Sequence, residues 1–530
     1  MKDFFRTLKK LYKYDHFDKR DGSIISSLKE GENEELVTDP DEVNKRLMLT
    51  IKDLQFDATK PQPRNLDFPM LKPKSVDEMK EILCKISSGK AIAWDALTDS
   101  IFRKTWMEKS ALLFADLWQH LKLIKNLHFE SRLIPLNKVH PQIPTRKDMR
   151  PIIVTSPLVK LIEAGIMPDL RDYLIKNLHH SQTGFVPGFG IFVNIHRALS
   201  RIKLRTLNKQ RCYGIFVDFS SAYNTIDHQI LFSKLAPIIG EEKTQLIRAL
   251  YSRLKIRLGK EVVLPNQGVA QGSLISPALF DIYAEGCLYA IQNELGIDEE
   301  DLLAYADDTL IICDSLSQVS SIIEVIRLWS GQNNMKLNEK KSGIVEFVGR
   351  RMRRSLRYES ICGFPVCGEY KYLGVKLTSK LTMGSQLDYI KYKARDIQRR
   401  LSPFLHKADV DTKKNLWQVF VRPLIEFVLP LYKWETSKSI IQKADSIFRC
   451  TFKLFLGLNR STENSLVDTL SGFDFRLRAQ ETYELYTKKW EYRRQGKILN
   501  YSDVPGSVRR TLSPKNLTCA NICLLSLFST

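Results

Sequence analysis

The sequence predicts an α+β core followed by a mainly helical C-terminal region. Up to about residue 378, short apolar runs rich in β-branched residues alternate with amphipathic stretches. From residue 379 onward the pattern is mostly helical. With 530 residues the chain is too long for one ordinary core, so we expect several packed units.

The charge balance favours a polyanionic partner. Lys and Arg number 81 against 60 Asp and Glu, a formal net charge of +21, while hydrophobic residues make up 43% of the chain. A chain with this many hydrophobic residues can form buried cores, so disorder over most of its length is excluded. Nucleic acid or an anionic membrane would suit the excess positive charge, and a merely soluble basic surface is the alternative.

Other classes of protein are disfavoured. No apolar run reaches the length of a membrane span, and the N-terminus lacks the apolar core of a signal peptide. The nine cysteines are scattered without zinc-site spacing, which predicts reduced thiols in an intracellular protein.

The first part of the chain predicts helices joined by charged loops. A capped helix is expected after Thr38, and Ser75 followed by Glu78 predicts a second one. Proline-containing stretches at 60–64 and 72–74 suggest a linker between them. Residues 101–127 are also expected to be helical.

The middle of the chain alternates strands and helices. The predicted strands include a pair at 132–141 and 150–155, a buried strand at 212–219, a hairpin at 301–313, and short strands around 342–347 and 369–377. A helix is expected directly after residue 219, and others within 158–175, 276–295 and 316–334.

Acidic residues lie at the ends of two of these strands. Asp218 ends the apolar strand GIFVDF, and Asp307 and Asp308 lie at the tip of the predicted hairpin. Adjacent carboxylates beside apolar strands are costly unless a cation neutralises them, and hard oxygen ligands favour Mg²⁺. Ordinary turn chemistry is the alternative, because the sequence does not show that the two segments meet.

Three motifs carry a resemblance to a known family. YADD (305–308), FVDFSSAYNTIDH (216–228) and QGSLISPALFDIY (271–283) resemble, in order and spacing, the palm motifs of reverse transcriptases. The similarity is to the non-LTR, LINE-like retrotransposon branch, with the group II intron enzymes as relatives. It covers about residues 75–430, and further matching segments lie at 89–104, 132–138, 150–163, 181–195, 335–342, 370–377 and 419–427.

The resemblance implies a right-hand polymerase with a palm built on an antiparallel sheet. The expected divisions are an N-terminal extension or spacer (1–75), fingers (76–211), palm with finger-contributing segments (212–360), primer grip (361–378), and helical thumb with the C-terminal region (379–530).

The resemblance also implies the catalytic centre. Asp218 and Asp307 are the expected bridging metal ligands, Asp308 supports the second metal or shapes the turn, and the Phe219 carbonyl completes a metal shell. The cofactor expected is a pair of Mg²⁺ ions, with Mn²⁺ as an alternative.

The expected nucleotide site is formed by the fingers and palm. Tyr223 would exclude the ribose 2′-OH, although a core aromatic is the alternative. The remaining expected contacts are Lys138 and Arg150 to the triphosphate, Gln271 and Gly272 to the nucleotide and template base, and Lys341 to the leaving pyrophosphate. Lys340 is adjacent, so the register of that lysine stays open, and solvated basic residues are the alternative for all three cations.

Two further regions are expected to hold nucleic acid. Tyr372, Leu373 and Gly374 match the primer-grip turn, with an ordinary hairpin as the alternative. Basic residues crowd two stretches, where a solvated face is the alternative to phosphate binding: Arg350, Arg351, Arg353, Arg354 and Arg357, and on a predicted thumb helix Lys391, Lys393, Arg395, Arg399 and Arg400.

The sequence departs from the family pattern in places. Asn224 stands where the family has Asp, and we give it no catalytic role. Ala93, Trp94 and Ala96 replace the glycines and proline of the fingertip segment, which puts its loop conformation in doubt. His228 is expected to cap or pack rather than to catalyse.

The implied function is RNA-directed DNA synthesis for a retroelement. The implied partners are an RNA template, a DNA primer or target, and dNTPs, with no membrane and a nuclear location. A non-catalytic RNA-binding protein and an intron maturase are the rival interpretations. No endonuclease or RNase H pattern is evident, so we hypothesise a truncated reading frame whose endonuclease is supplied elsewhere.

Overall fold

The structure is a computed structural model. It describes residues 24–30, 35–61, 65–86, 93, 107–123, 129–140, 142–349, 356–435 and 437–499. The expected fingertip segment, apart from Ala93, and the arginines from Arg350 to Arg354 therefore lie outside the described residues.

Strands occupy the first three quarters of the described chain. They are β1 (Leu28–Glu30), β2 (Glu35–Val37), β3 (Phe129–Asn137), β4 (Met149–Val154), β5 (Cys212–Val217), β6 (Leu254–Leu258), β7 (Glu261–Val263), β8 (Leu302–Tyr305), β9 (Asp308–Cys313), β10 (Gly343–Phe347), β11 (Ser360–Ile361), β12 (Phe364–Cys367), β13 (Glu369–Tyr372) and β14 (Val375–Thr378).

Helices separate the strands and form the whole of the later chain. They are α1 (Pro40–Gln55), α2 (Val76–Lys85), α3 (Met107–His120), α4 (Pro157–Lys176), α5 (Ile191–Leu207), α6 (His228–Ile239), α7 (Glu241–Ser252), α8 (Ser276–Leu295), α9 (Leu316–Gln332), α10 (Gly384–Leu405), α11 (Val410–Phe420), α12 (Arg422–Glu426), α13 (Leu429–Trp434), α14 (Lys438–Leu456), α15 (Asn464–Ser471) and α16 (Phe475–Arg494). None of these is long and apolar enough to cross a membrane.

A six-stranded sheet forms the centre of the molecule, in the order β11-β12-β10-β5-β9-β8. β5 pairs antiparallel with β9 and β10, and β8 pairs antiparallel with β9. β10 and β12 run parallel. Four of its strands, β5, β8, β9 and β10, lie in the range expected for the palm, whereas β12 lies in the range expected for the primer grip.

Alternate residues of the sheet enter two different cores, as the period of two along a strand requires. Ile215 and Ile311 pack into the core shared with α4, α6, α8 and α9. Their neighbours Phe216 and Ile312 face the opposite core, which includes α5, the β13–β14 hairpin and the C-terminal helices. Each buried side chain of this size contributes about 1.5–3 kcal/mol, so both faces of the sheet are held in place.

A second sheet has the order β4-β3-β6-β7. It joins β3 and β4, from the range expected for the fingers, to β6 and β7, from the range expected for the palm with its finger-contributing segments. The predicted strand pair is confirmed as β3 and β4, which pair from Arg132↔Val154 to Asn137↔Met149. The N-terminal segment packs on this sheet: Val43 and Leu47 of α1 are buried against Leu133 and Ile153. Residues expected to form a spacer therefore contribute to the core of this sheet.

The C-terminal region is helical, as predicted. Along α10, Leu387, Ile390, Ala394 and Ile397 are buried at helical spacing. They share a core with Trp417 and the other C-terminal helices.

Two features differ from the sequence prediction. The helix expected directly after residue 219 begins only at His228, because Asp227 caps it by accepting hydrogen bonds from Gln229 N and Ile230 N. The helix α5 is also absent from the sequence prediction, and it packs against the sheet and the C-terminal helices.

We predict that the close approach of α3 and α4 depends on Gly165. A Cβ atom there would lie 2.4 Å from the Trp118 ring, so Gly165→Ala should cost about 1–3 kcal/mol through overpacking. The control Gly331→Ala is also helical, but nothing lies within 4 Å of its Cβ position, so it should be neutral or stabilising. Thermal unfolding measures both, and equal midpoints for the two variants would contradict the packing.

Candidate active site

The register of the central sheet brings the predicted acidic residues together. Val217 of β5 pairs with Thr309 of β9, so the next residue, Asp218, falls opposite Asp308. Tyr305 and Asp308 close the β8–β9 hairpin, which leaves Ala306 and Asp307 as its two-residue turn. The contact between the two motifs, which the sequence could not show, thus follows from strand pairing.

The turn that carries Asp307 has an unusual backbone and a dedicated support. Ala306 has φ +54°, a conformation that favours glycine. The Gln182 side chain accepts a hydrogen bond from Ala306 N at 2.8 Å and donates one to Ala306 O at 3.0 Å. Gln182 also pairs with Ala304 as an isolated bridge. The segment 181–195 resembles the family pattern, but the sequence predicts no role for Gln182 within it.

A second segment supports Asp218. Asn338 N donates to Asp218 O at 2.9 Å, and Asp218 N donates to Ser342 Oγ at 3.1 Å. Phe219 and Leu337 form a β-bridge between these contacts. Within the described residues, the Asp218 carboxyl has a hydrogen bond with the Asn338 side chain and feels the charge of Lys341.

The three carboxyls share a poorly solvated environment. Burial raises the pKa of Asp218, against the opposing charge of Lys341. Burial and the charge of Asp218 raise the pKa of Asp307. Asp308 reaches solvent, yet the protein around it and the charges of Asp307 and Asp218 raise its pKa to about 7. Mutual repulsion of this kind is what a bound cation relieves.

The donor set fits Mg²⁺ in part. Among the described residues, no group of three His, Cys, Asp or Glu side chains has the arrangement of a complete metal site. Mg²⁺ is commonly held by one or two carboxylates together with substrate phosphates and water. The Phe219 carbonyl accepts no hydrogen bond within the described part of the chain, so Asp218, Asp307 and this carbonyl could hold a cation.

Three basic side chains act electrostatically at the acidic cluster or on one another. Burial and the charges of Arg150 and Lys341 lower the pKa of Lys138. The charges of Arg150 and Lys341 also act on Asp307 and Asp218, respectively. The interaction with Asp218 favours Lys341 over Lys340 as the lysine that faces the site.

Tyr223 lies between the acidic cluster and α8. Its ring stacks on Phe280 with centroids 4.8 Å apart. Burial and the charges of Asp281 and Asp307 raise its pKa. Its neighbour Asn224 is buried and accepts a hydrogen bond from Gln55 Nε2 at 2.8 Å. The departure from the family's Asp is therefore matched by an amide on α1.

The Gln271–Gly272 loop lies beside β4. Ile153 N donates to Gln271 O at 2.7 Å. Gly272 has φ +125°, and a Cβ atom there would lie 2.5 Å from Ile153 O. A glycine is thus required where the loop approaches the strand that carries Arg150.

The predicted primer-grip residues form the turn between β13 and β14. Leu373 and Gly374 both have positive φ, as two-residue hairpin turns often require. Tyr372 is buried and donates its hydroxyl hydrogen to Leu303 O at 3.3 Å, while Tyr370 donates to Lys341 O at 2.9 Å. The hairpin therefore touches both β8 and the segment behind Asp218.

The basic residues of α10 lie mostly on its surface. Lys391, Arg395, Arg399 and Arg400 are exposed, whereas Lys393 is half-buried. Asp396 forms ion pairs with Arg399 and Arg400, each at 2.8 Å. Lys391 and Arg395 pair with no acid in the part of the chain that the structure describes. Arg357, from the other basic stretch, is exposed.

His228 has the packing role expected of it. A ring nitrogen lies 2.7 Å from Gly268 O, and the ring contacts Phe232 and Tyr251. Burial lowers its pKa to about 4, so the ring is neutral and is held in place by these contacts.

Comparisons with known proteins agree with the geometry. Residues 137–377 match the family model described as "Reverse transcriptase (RNA-dependent DNA polymerase)". The chain is 24% identical over 394 residues to an RNA-directed DNA polymerase from mobile element jockey of Drosophila melanogaster, covering 68% of this chain and 41% of that protein. It is 23% identical over 334 residues to a Pol polyprotein from retrotransposable element R2DM of the same organism, covering 59% and 30%.

A solved structure of telomerase from Candida albicans, with a fragment of telomeric RNA, overlaps 82% of this chain and 81% of that one. The identity is 11% and the TM-score 0.34, too low to bear on function. The chain spans about two fifths of the length of the jockey relative.

The expected right-hand polymerase fold of class α+β is confirmed, and so is the resemblance to non-LTR retroelement enzymes. The relation to group II intron enzymes, the domain boundaries and the roles of individual site residues stay predictions.

We predict that Asp308 destabilises the cation-free protein in a pH-dependent way. Its pKa is about 7 in the fold against an ordinary value of 3.8, so the penalty grows as pH rises from about 4 to 7 and is constant above. Without divalent cations, Asp308→Asn should therefore raise the midpoint of thermal unfolding at pH 8, and this gain should vanish near pH 4.

Adding Mg²⁺ at pH 8 should narrow the difference between Asp308→Asn and wild type, because the cation relieves repulsion among three carboxylates in the wild type and between only two in the variant. A difference that is independent of both pH and Mg²⁺ would contradict the electrostatic account.

Proposed function

We propose that the chain is an RNA-directed DNA polymerase of a non-LTR retroelement, since residues 137–377 match the reverse transcriptase family model. It would extend a DNA primer on an RNA template with dNTPs. The observation that carries this proposal is the strand register that places Asp218 opposite Asp308, beside the turn bearing Asp307.

The reaction is a phosphoryl transfer. The primer 3′-OH loses its proton and attacks the α-phosphate of the dNTP, a new P–O bond forms, and the bond to the β-phosphate breaks to release pyrophosphate. Asp218, Asp307 and the Phe219 carbonyl would hold divalent cations. When bound, Mg²⁺ lowers the pKa of the attacking hydroxyl and stabilises the charge that develops at phosphorus.

The basic residues would bind the triphosphate. Arg150 can contact phosphate oxygens through two donors at once, whereas Lys138 and Lys341 act as point charges. The protonated Lys138 could also donate a proton to the leaving pyrophosphate and become neutral, since burial and its cationic neighbours lower its pKa. The charges of Arg150 and Lys341 act on the carboxylates of Asp307 and Asp218, respectively. The nucleotide would therefore bind between the basic side chains and the carboxylates.

Tyr223 would select the sugar. Its stacking on Phe280 fixes the plane of the ring, and a fixed ring under the ribose leaves no room for a 2′-OH. The Gly272 backbone lies close to Ile153. Because glycine has no side chain, this backbone would let the base approach closely.

The template–primer duplex would lie between the palm and α10. Lys391 and Arg395 are one turn apart, exposed, and free of ion pairs within the described residues. They are suited to contact successive phosphates of a backbone. The turn at Leu373 and Gly374 would support the primer end, because its hairpin contacts the segment behind Asp218.

The experiment is primer extension on an RNA template with dNTPs and Mg²⁺. Wild-type protein should extend the primer, and Asp307→Ala should abolish extension, a loss of at least about 10³-fold. The reason is that the variant lacks a carboxylate that would hold the cations, and these stabilise the charge that develops at phosphorus. Asp172→Ala is the control and should keep full activity, since Asp172 is exposed and, among the described residues, forms an ion pair only with Lys176, at 2.6 Å.

An inactive wild-type protein that still binds RNA would contradict the proposal and favour a non-catalytic RNA-binding role. Activity retained in folded Asp307→Ala would instead contradict the assignment of the site.

We predict that Tyr223→Ala relaxes sugar selection. Removing the ring should raise rNTP incorporation relative to dNTP incorporation by at least tenfold, measured as the ratio of kcat/KM values in single-nucleotide extension. Tyr358→Ala, which removes an exposed ring, should leave the ratio unchanged. An unchanged ratio in Tyr223→Ala would show that Tyr223 is a core aromatic only.

A further inference from the structure

Arg493, near the end of α16, is completely buried and surrounded by carbonyl groups. Its Nη1 and Nη2 atoms donate five hydrogen bonds of 2.9–3.3 Å. The acceptors belong to the last turn of α4 and the segment after it: Leu174 O, Ile175 O, Leu178 O, His179 O and Gln182 O. One guanidinium group therefore fixes the path of the chain from residue 174 to residue 182.

A buried guanidinium without a bonded carboxylate is costly. Arg493 forms no ion pair within the described part of the chain, and its Nε atom has no hydrogen-bond partner. Burial lowers its pKa to about 10, while the more distant charges of Asp281, Glu299 and Glu285 act in the opposite direction. Capping the end of α4 accounts for two of the five bonds, and the other three hold the segment that leads to Gln182.

Gln182 connects this segment to the acidic turn. Arg493 binds the backbone carbonyl of Gln182, and the side chain of the same residue binds both backbone polar groups of Ala306. Ala306 directly precedes Asp307 and has positive φ. A strained residue of this kind needs fixed partners to hold it, so a shift of residues 178–182 would be transmitted to the Asp307 carboxylate.

The rest of α16 docks on the same part of the palm. The Trp490 ring covers the guanidinium of Arg197, 3.3 Å from the ring centroid. Arg197 in turn donates to Leu302 O, at the start of β8, at 3.1 Å. Tyr486 stacks on His196 with centroids 5.1 Å apart. The side chains at 486, 490 and 493 share one helix face. This face contacts Arg197, which binds the start of β8, and also the segment that leads to Gln182.

On the basis of the proposed polymerase function, we propose that Arg493 is a positioning residue of the active site. Acting through the backbone of residues 178–182 and the amide of Gln182, it sets the turn that carries Asp307. Arg493 lies more than a hundred residues beyond the matched segment 137–377, so the C-terminal helix that carries it is then part of the catalytic unit.

The test compares Arg493→Lys, Gln182→Met and the double variant in steady-state primer extension, with thermal unfolding measured in parallel. Lysine keeps the charge but cannot reach five carbonyls. Each single variant should lower kcat at least tenfold with the KM for dNTP changed less than twofold, because the triphosphate contacts are intact. The double variant should be no slower than Gln182→Met, since both changes interrupt one connection.

Arg494→Lys is the matched control. Arg494 is the next residue, half-exposed and 3.4 Å from Glu300, so this variant should behave as wild type. The wild-type reaction separates the two proposals, because an inactive wild-type chain overturns the polymerase function itself. An active wild type with unchanged kcat in Arg493→Lys overturns only the positioning role.

Two other results would also overturn it. These are multiplicative losses of kcat in the double variant, and a loss confined to thermal stability or KM. If Arg493→Lys does not fold, Trp490→Phe loosens the same helix more gently by removing the bond from Trp490 Nε1 to Glu300 Oε1 at 2.9 Å. Lowered kcat with unchanged KM in that variant supports the proposal, and wild-type kcat refutes it.

Discussion

Repulsion among three carboxyl groups is the constraint on which the structure depends. Asp218, Asp307 and Asp308 meet at the end of paired apolar strands, where burial raises the pKa of each. Strand register alone decides that they meet, because a slip of one residue would turn each side chain to the other face of the sheet. The carboxylates therefore stay together only while the surrounding packing resists their repulsion or a cation neutralises it.

Much of the molecule helps to keep the three carboxylates in place against their mutual repulsion. The central sheet is packed on both faces, so β5 and β9 cannot separate without opening two cores. Gln182 holds the turn before Asp307 from one side, and residues 337–342 hold Asp218 from the other. The C-terminal helix adds Arg493 behind Gln182, so elements distant in sequence converge on one short turn.

The sequence predicted the elements better than the contacts between them. The β3–β4 pair and the β8–β9 hairpin could be recognised because their alternating apolar residues and turn residues are local signals. The meeting of Asp218 with Asp308 could not, since pairing between strands is not local. Gln182, Gln55 and Arg493 were missed for a related reason: each acts through polar contacts across more than a hundred positions. The late start of α6 reflects the cap at Asp227, which outweighs the apolar pattern before it.

The central claim is that the acidic cluster holds divalent cations for phosphoryl transfer. The most direct test is anomalous diffraction from crystals of the protein with an RNA template, a DNA primer lacking the 3′-OH, a dNTP and Mn²⁺. If the acidic cluster holds the cations, anomalous density is expected between the carboxylates of Asp218 and Asp307 and the phosphates of the nucleotide. A well-ordered ternary complex without anomalous density at these carboxylates would contradict it.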